Sequence, residues 1–219
     1  MLQRADLWSL EQYSEARPSF REEVLAHKKN RRVRIGDHVL LIFEDELTVK
    51  YQIQEMLRIE KIFEAAGIQD ELDAYNPLIP DGDNWKCTML IQYPDVAERK
   101  QRLTELLGIE DKIWVQVGEG KKIWPIADED LDRANDDKTA AVHFMRYQIG
   151  AEDRAALKAG APIQFGVEHL AYPSEPRQST KAFVPPWPRT WRTSYSPASG
   201  TLQKAGFCRL FCASNTRLS

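Results

Sequence analysis

Cysteine is scarce: Cys87, Cys208 and Cys212 are the whole complement of this 219-residue chain. Three unevenly placed thiols cannot build the disulfide framework of a small secreted domain, which points to a reducing compartment. Long apolar runs are missing too. No stretch approaches the roughly 20 residues needed to span a bilayer, and the opening residues lead into charged, helix-forming sequence rather than an export segment. The expectation is a cytoplasmic protein with no membrane partner. Histidine is equally thin. His27, His38, His143 and His169 show no His-x3-His or Glu-x2-His spacing that would set two ligands on one helical face. Cys208-x3-Cys212 lacks the other half of a tetrahedral zinc site. No metal is therefore assigned, and the residues name no cofactor.

Catalytic signatures are also few. There is no Gly-x-Ser-x-Gly elbow, and Gly118-x-Gly120-Lys121-Lys122 lacks the Walker spacing, so it reads as a hairpin turn. Asp128-x-Asp130-x-Asp132 opens like a calcium loop but carries Arg133 where glycine is needed and Thr139 at the twelfth position. It reads as the solvated start of an acidic helix.

Charge divides the chain. Up to Tyr172 there are 23 Lys and Arg against 32 Asp and Glu; from Pro173 onward there are seven basic residues against Glu175 alone. The second segment also holds half of the twelve prolines and many serines and threonines. We therefore expect one domain over 1–172 and a basic, irregular tail over 173–219. Trp187, Trp191 and Tyr195 could stack on bases, but no scaffold surrounds them, so a nucleic-acid role is not expected.

Within 1–172 the hydrophobic period changes repeatedly. Residues 6 to 30 predict two short helices split at Pro18. Arg32 to Phe43 predicts a strand hairpin, and Glu46 to Glu64 a helix with Asp45 or Glu46 at its start and Val49, Ile53, Met56, Leu57 and Phe63 on its apolar side. A helix over Ile68 to Tyr75, an ordered loop to Asn84, a strand over Trp85 to Tyr93 and a helix over Val96 to Leu107 follow. Then come strands over Lys112 to Val117 and Lys121 to Ile126, an acidic helix over Glu129 to Asn135, a strand over Thr139 to Ile149, a helix over Glu152 to Lys158 and a strand over Pro162 to Glu168. This mixture predicts an α+β fold: a mostly antiparallel sheet of about six strands with flanking helices.

Candidate functional residues fall in three places. The run His27-Lys28-Lys29-Asn30-Arg31-Arg32-Val33-Arg34 is basic enough to attract an anionic partner through Lys28, Lys29, Arg31 and Arg32. On the 46–64 helix, Thr48, Gln52 and Glu55 recur as a polar stripe beside Arg58, while Glu60 falls near the apolar face and predicts an internal salt bridge to Arg58 or Arg146. His143 sits in an alternating strand, packed or acting as a base.

Glu44-Asp45 with Thr48, Tyr51-Gln52-x-Gln54-Glu55-Met56-Leu57-Arg58 and Glu71-Leu72-x-Ala74-Tyr75-Asn76-Pro77-Leu78-Ile79-Pro80-Asp81-Gly82 resemble the uncharacterised bacterial domain of unknown function 3501 family. Ala26-His27-Lys28-Lys29-x-Arg31-Arg32, Asp128-Glu129-Asp130-Leu131, Lys138-Thr139-x-Ala141-Val142-His143-Phe144 and Phe165-Gly166-Val167-x-His169 extend the resemblance over about Leu7 to Tyr172; the tail does not share it. The family carries no established activity. Its members tend to be encoded beside rubrerythrin-like and iron–sulfur oxidoreductase-like proteins, and the resemblance implies an accessory role with such a redox partner. The other expectation is an enzyme or small-ligand binder whose pocket gathers Glu55, Arg58, Asn76, Asp81 and His143.

Overall fold

The computed structural model describes residues 1–129 and 137–178. The acidic helix expected over Glu129 to Asn135 therefore lies almost wholly outside the described residues, as does the tail beyond Gln178.

The chain opens with α1 (Leu10–Lys29), β1 (Arg32–Ile35), β2 (Val39–Phe43), α2 (Glu46–Glu60) and α3 (Ala65–Tyr75). It continues through β3 (Asn84–Ile91), α4 (Val96–Glu105), β4 (Ile113–Val117), β5 (Lys122–Ile123) and β6 (Ile126–Ala127). β7 (Val142–Gln148), α5 (Ala151–Lys158), β8 (Ile163–Val167) and β9 (Arg177–Gln178) are the last of the described elements. The α+β class holds, and among the described residues every strand pairing is antiparallel. The strands divide into two sheets, ordered β1-β2-β3-β7-β6 and β5-β4-β8-β9. The division falls inside the single strand expected over Lys121 to Ile126. Pro125 has no N–H to donate, so the ladder ends at Ile123 and the chain crosses to the other sheet at Ile126.

Between the sheets lies one apolar cluster, with Leu41, Phe43, Cys87, Met145 and Tyr147 from the first and Ile113, Val115 and Phe165 from the second. Phe43 and Phe165 meet across it with ring centroids 5.8 Å apart. The buried Tyr147 hydroxyl donates to the Ile113 carbonyl at 3.0 Å, which satisfies the one polar atom this side chain brings into the core. On β7 the inward positions are His143, Met145 and Tyr147, so the period-two pattern delivers a histidine to the inter-sheet face.

β9 lies beyond Tyr172 and pairs with β8. Tyr172 itself is buried: its hydroxyl donates to Ile35 O at 2.8 Å and accepts from His38 N at 2.9 Å and Val39 N at 3.1 Å. The β1–β2 turn is shaped to admit it, because Gly36 has φ +57° and a Cβ there would come within 2.7 Å of the Tyr172 oxygen. Tyr172→Phe strands two hairpin amides, so urea denaturation should show a loss of about 1–3 kcal/mol. An unchanged midpoint would mean that water replaces the hydroxyl.

α1, α2 and α3 build two further apolar clusters, whereas α4 and α5 pack on the inter-sheet core through Leu103 and Leu157. α1 begins in a capping box: Ser9 Oγ accepts from Gln12 N at 3.3 Å while Gln12 Oε1 accepts from Ser9 N at 3.0 Å. The expected break at Pro18 does not occur, and α1 runs through it as one 20-residue helix. Proline removes one backbone bond at a cost of about 3 kcal/mol. Tyr13 before it and Phe20 and Val24 after it share one buried aromatic cluster with Trp8, Leu47 and Tyr51, and that packing holds both halves in line.

Asp45 caps α2. Its Oδ1 accepts from Leu47 N and Thr48 N, each at 3.1 Å, and the Thr48 hydroxyl accepts from Asp45 N at 2.9 Å. α2 ends earlier than Glu64, at Lys61, whose backbone is left-handed with φ 57°. Phe63, expected on the apolar side, is instead 70 % exposed because the helical period stops before reaching it.

Candidate functional site

α1 and α2 pack antiparallel. Tyr13 and Arg17 early in α1 meet Glu55 late in α2, Phe20 lies 5.9 Å from Tyr51, and His27 at the end of α1 meets Asp45 at the start of α2. Their seam gathers the charged residues that the sequence left scattered.

At one end is Glu55. Its carboxylate accepts from Tyr13 Oη at 2.7 Å, from Arg17 Nε at 2.7 Å and Nη2 at 3.1 Å, and from Arg58 Nη2 at 3.3 Å. Burial alone would raise its pKa; the hydrogen bonds from Arg17, Tyr13 and Arg58 outweigh that and hold it at about 2. So acidic a carboxyl is a poor proton acceptor at neutral pH, and its role here is to orient two arginines. The Tyr13 phenol is pushed far up, first by burial and then by donating to Glu55.

Midway lies Tyr51. Burial raises its phenol, with Glu55 adding to the effect and Arg21, hydrogen-bonded to it, opposing it. Lys28 Nζ stands 6.0 Å from the Tyr51 ring centroid, and on the neighbouring face Lys50 Nζ stands 4.2 Å from that of Trp8. Arg21 and Lys28 thus flank Tyr51 as cations, and Arg17 and Arg58, both engaged by Glu55, extend the row at one end with a single net positive charge among the three.

The other end is a buried ion cluster. Asp45 Oδ2 meets His27 Nε2 at 2.8 Å and Arg31 Nη2 at 2.9 Å. Burial opposes the Asp45 charge, but His27, Arg31 and the Thr48 amide hold its pKa well below the usual carboxylate range. Arg31, a candidate for partner contact, is only 2 % exposed and points inward. Lys29 is exposed and Lys28 and Arg32 are half-buried. Arg34 is spent on Asp37 O at 2.8 Å and Gln92 Oε1 at 3.1 Å.

The other candidates lie in separate networks. Asn76 holds the N-terminal segment, accepting from Leu2 N at 2.8 Å and donating to Leu2 O at 2.9 Å. Asp81 accepts from Asn84 Nδ2 at 2.6 Å in the turn before β3. Of the five residues expected to line a pocket, the described contacts bring together only Glu55 and Arg58. Glu60 is exposed, not internally paired, because Arg58 is engaged by Glu55 and Arg146 by Glu129 at 2.7 Å through both of its contacts.

His143 anchors a second cluster. Its ring is fully buried, with Nδ1 2.5 Å from Asp128 Oδ2 and Nε2 2.8 Å from Thr139 Oγ1 and 3.0 Å from Ala140 O. Thr139 donates onward to Glu110 Oε2 at 2.9 Å. Asp128, read from the sequence as solvated, is turned inward: its other oxygen accepts from Phe144 N at 3.0 Å, and its backbone takes φ 50°. Asp128, Thr139 and Glu110 come from separate stretches of the chain, so no local signal in the sequence groups them. The two carboxylates stand at opposite ring nitrogens, so they do not converge on one point. Among the described residues no group of three or more His, Cys, Asp or Glu is arranged to hold a metal ion, and no helix is long and apolar enough to cross a membrane.

A family model described as "Protein of unknown function (DUF3501)" matches residues 1–183. The chain is also similar to a novel protein of unknown function from Burkholderia pseudomallei, whose crystal structure was determined at 1.90 Å resolution. The identity is 48 %, the TM-score 0.78, and the match covers 81 % of this chain and 92 % of that one. Nothing among curated proteins matches.

Proposed function

We propose, starting from the fact that the chain belongs to this family of unknown function, DUF3501, that it is an accessory protein that docks an acidic redox partner on the α1–α2 seam. The observation that carries the reading is the row Arg17, Arg21, Lys28 and Arg58 around Tyr51, set on a domain whose sequence through Tyr172 is net acidic. A local cationic row on an otherwise anionic surface orients a negatively charged partner during encounter, and an aromatic at its centre supplies contact area. The partner class, an iron–sulfur oxidoreductase or a rubrerythrin-like protein, comes from the family resemblance. Both helices are packed and capped, so the row is presented on rigid elements.

Calorimetric titration with a bacterial-type ferredoxin and with a rubrerythrin tests the reading. Arg21→Glu combined with Lys28→Glu should weaken binding roughly tenfold or more at low ionic strength, with the difference shrinking at high salt. Equal affinity of variant and wild type for a partner that binds would remove the seam from the account.

A second reading, an enzyme or small-ligand binder, draws support from the fully buried His143 chain to Asp128, Thr139 and Glu110. Ligand-induced thermal stabilisation that disappears in His143→Gln would favour it.

A further inference from the structure

The fully buried His143 ring meets hydrogen-bond acceptors at both of its nitrogens. Nδ1 faces the Asp128 carboxylate at 2.5 Å, and Nε2 faces the Ala140 carbonyl at 3.0 Å, an oxygen that can only accept. Thr139 Oγ1 lies 2.8 Å from the same Nε2, but its one proton goes to Glu110 Oε2 at 2.9 Å, so toward the ring it accepts as well. A neutral imidazole carries one N–H and would turn a lone pair against one of these oxygens. Both sides are satisfied together by a ring that carries two protons.

The surroundings favour that form. Asp128 directly follows β6, and Glu110 lies in the 3-10 turn Ile109–Lys112 that leads into β4, its Oε2 3.9 Å from Nε2. Two carboxylates thus flank one buried ring, and taking the positive charge from between them would leave both anions uncompensated by it. Asp111 adds a third carboxyl, pushed up by burial and by Glu110, with Lys112 opposing. From β3 the register partner is Met89, which brings no charge, and from α4 the contact is the Leu103 carbonyl, which accepts from Thr139 N at 3.0 Å. Arg102 of α4 is turned to Glu98 and Glu105, and Asp137 and Lys138 precede Thr139 along the chain.

We infer that His143 is a buried imidazolium that acts as a proton-dependent latch between the two sheets. The ring belongs to β7 of the first sheet, and through Thr139 it reaches Glu110 at the entrance to β4 of the second. Asp128 ties the end of β6 to the same ring, and its other oxygen accepts from Phe144 N at 3.0 Å. Loss of one ring proton sets lone pair against lone pair at Asp128 or at Ala140. The latch therefore holds while the proton is present and loosens as pH rises. It stands apart from the docking face on α1 and α2.

Long-range proton–nitrogen correlation of the imidazole rings in the wild-type full chain reads the ring directly. At about pH 7 both His143 nitrogens should carry a proton; a single proton-bearing nitrogen overturns the inference. Native-state amide exchange of the same protein then tests the latch. In an opened state the ring titrates near the free value of about 6.5, so above roughly pH 7 opening releases a proton and its equilibrium constant should rise about tenfold per pH unit. Protection factors of the Thr139 and Phe144 amides, corrected for base-catalysed exchange, should fall by about that factor over the next pH unit. That of Val49 N, which donates to Asp45 O in α2, should not. Protection at Thr139 and Phe144 that does not change with pH, or that falls equally at Val49, would overturn a local latch.

Discussion

Asp45→Ala should cost the fold about 3–5 kcal/mol, the range for removing one partner from a buried charge cluster. The carboxylate meets His27 at 2.8 Å and Arg31 at 2.9 Å, and it caps two amides of α2. Its loss leaves the Arg31 guanidinium buried without its Asp45 contact and opens the first turn of α2. A loss of that size corresponds to roughly 10 °C in melting temperature for a domain of this length. Asp45→Asn, which keeps a capping oxygen and removes the charge, should fall between alanine and wild type.

Acid should reproduce part of the effect. The folded-state pKa of Asp45 lies well below its unfolded value near 3.9, and that of Glu55 is held at about 2 against roughly 4.3 unfolded. A depressed carboxyl stabilises the fold fully above its unfolded pKa, and the contribution disappears as pH falls through the folded value. Stability should therefore drop between about pH 4 and pH 2. The Asp45→Asn protein should show a shallower drop over the same interval. Identical pH profiles would mean that Asp45 is not a source of the acid sensitivity.

Gly166→Val should be the other severe substitution, destabilising by about 1–3 kcal/mol through overpacking. Gly166 pairs directly with Trp114 across β8 and β4, and the indole lies over the glycine. A Cβ at 166 would come within 2.3 Å of Trp114 Cζ2 and 2.6 Å of Cε2. The ring has little room to withdraw. Trp114 is 4 % exposed, and Lys122 Nζ lies 4.6 Å from its centroid while ion-paired to Glu168. Trp114→Leu should recover part of the loss in the Gly166→Val background, since it removes the clashing atoms. A double variant no better than the single would point to the sheet backbone, not the indole, as the source of strain.

Local chemistry made much of this legible from the residues alone. Asp45 or Glu46 marks the start of α2, Gly118 and Gly120 mark the β4–β5 hairpin, and alternation through His143, Met145 and Tyr147 marks β7. Failures came where distant packing outweighed a local rule. Pro18 does not break α1 because residues on both sides share partners on α2. Trp124-Pro125 separates two sheets where apolar content suggested one strand. Phe63 continued a helical period that the left-handed Lys61 had already ended.

The site divides in the same way. Glu55 and Arg58 are three residues apart on one helix, and their contact could be anticipated. Tyr13 and Arg17 reach Glu55 across separations of 42 and 38 residues, which no local pattern encodes. Arg31 was read with its basic neighbours, yet it is the one that folding turns inward. Asp128 belonged to an acidic run that looked solvated until its side chain was placed against His143.

The most direct measurement is a proton–nitrogen correlation spectrum of the isotopically labelled protein titrated with bacterial-type ferredoxin and, separately, with rubrerythrin. With the partner that binds, the docking account expects shift changes to concentrate on Arg17, Arg21, Lys28, Tyr51 and Arg58. Changes centred on His143, Asp128 and Thr139, with the α1–α2 resonances unmoved, would contradict it.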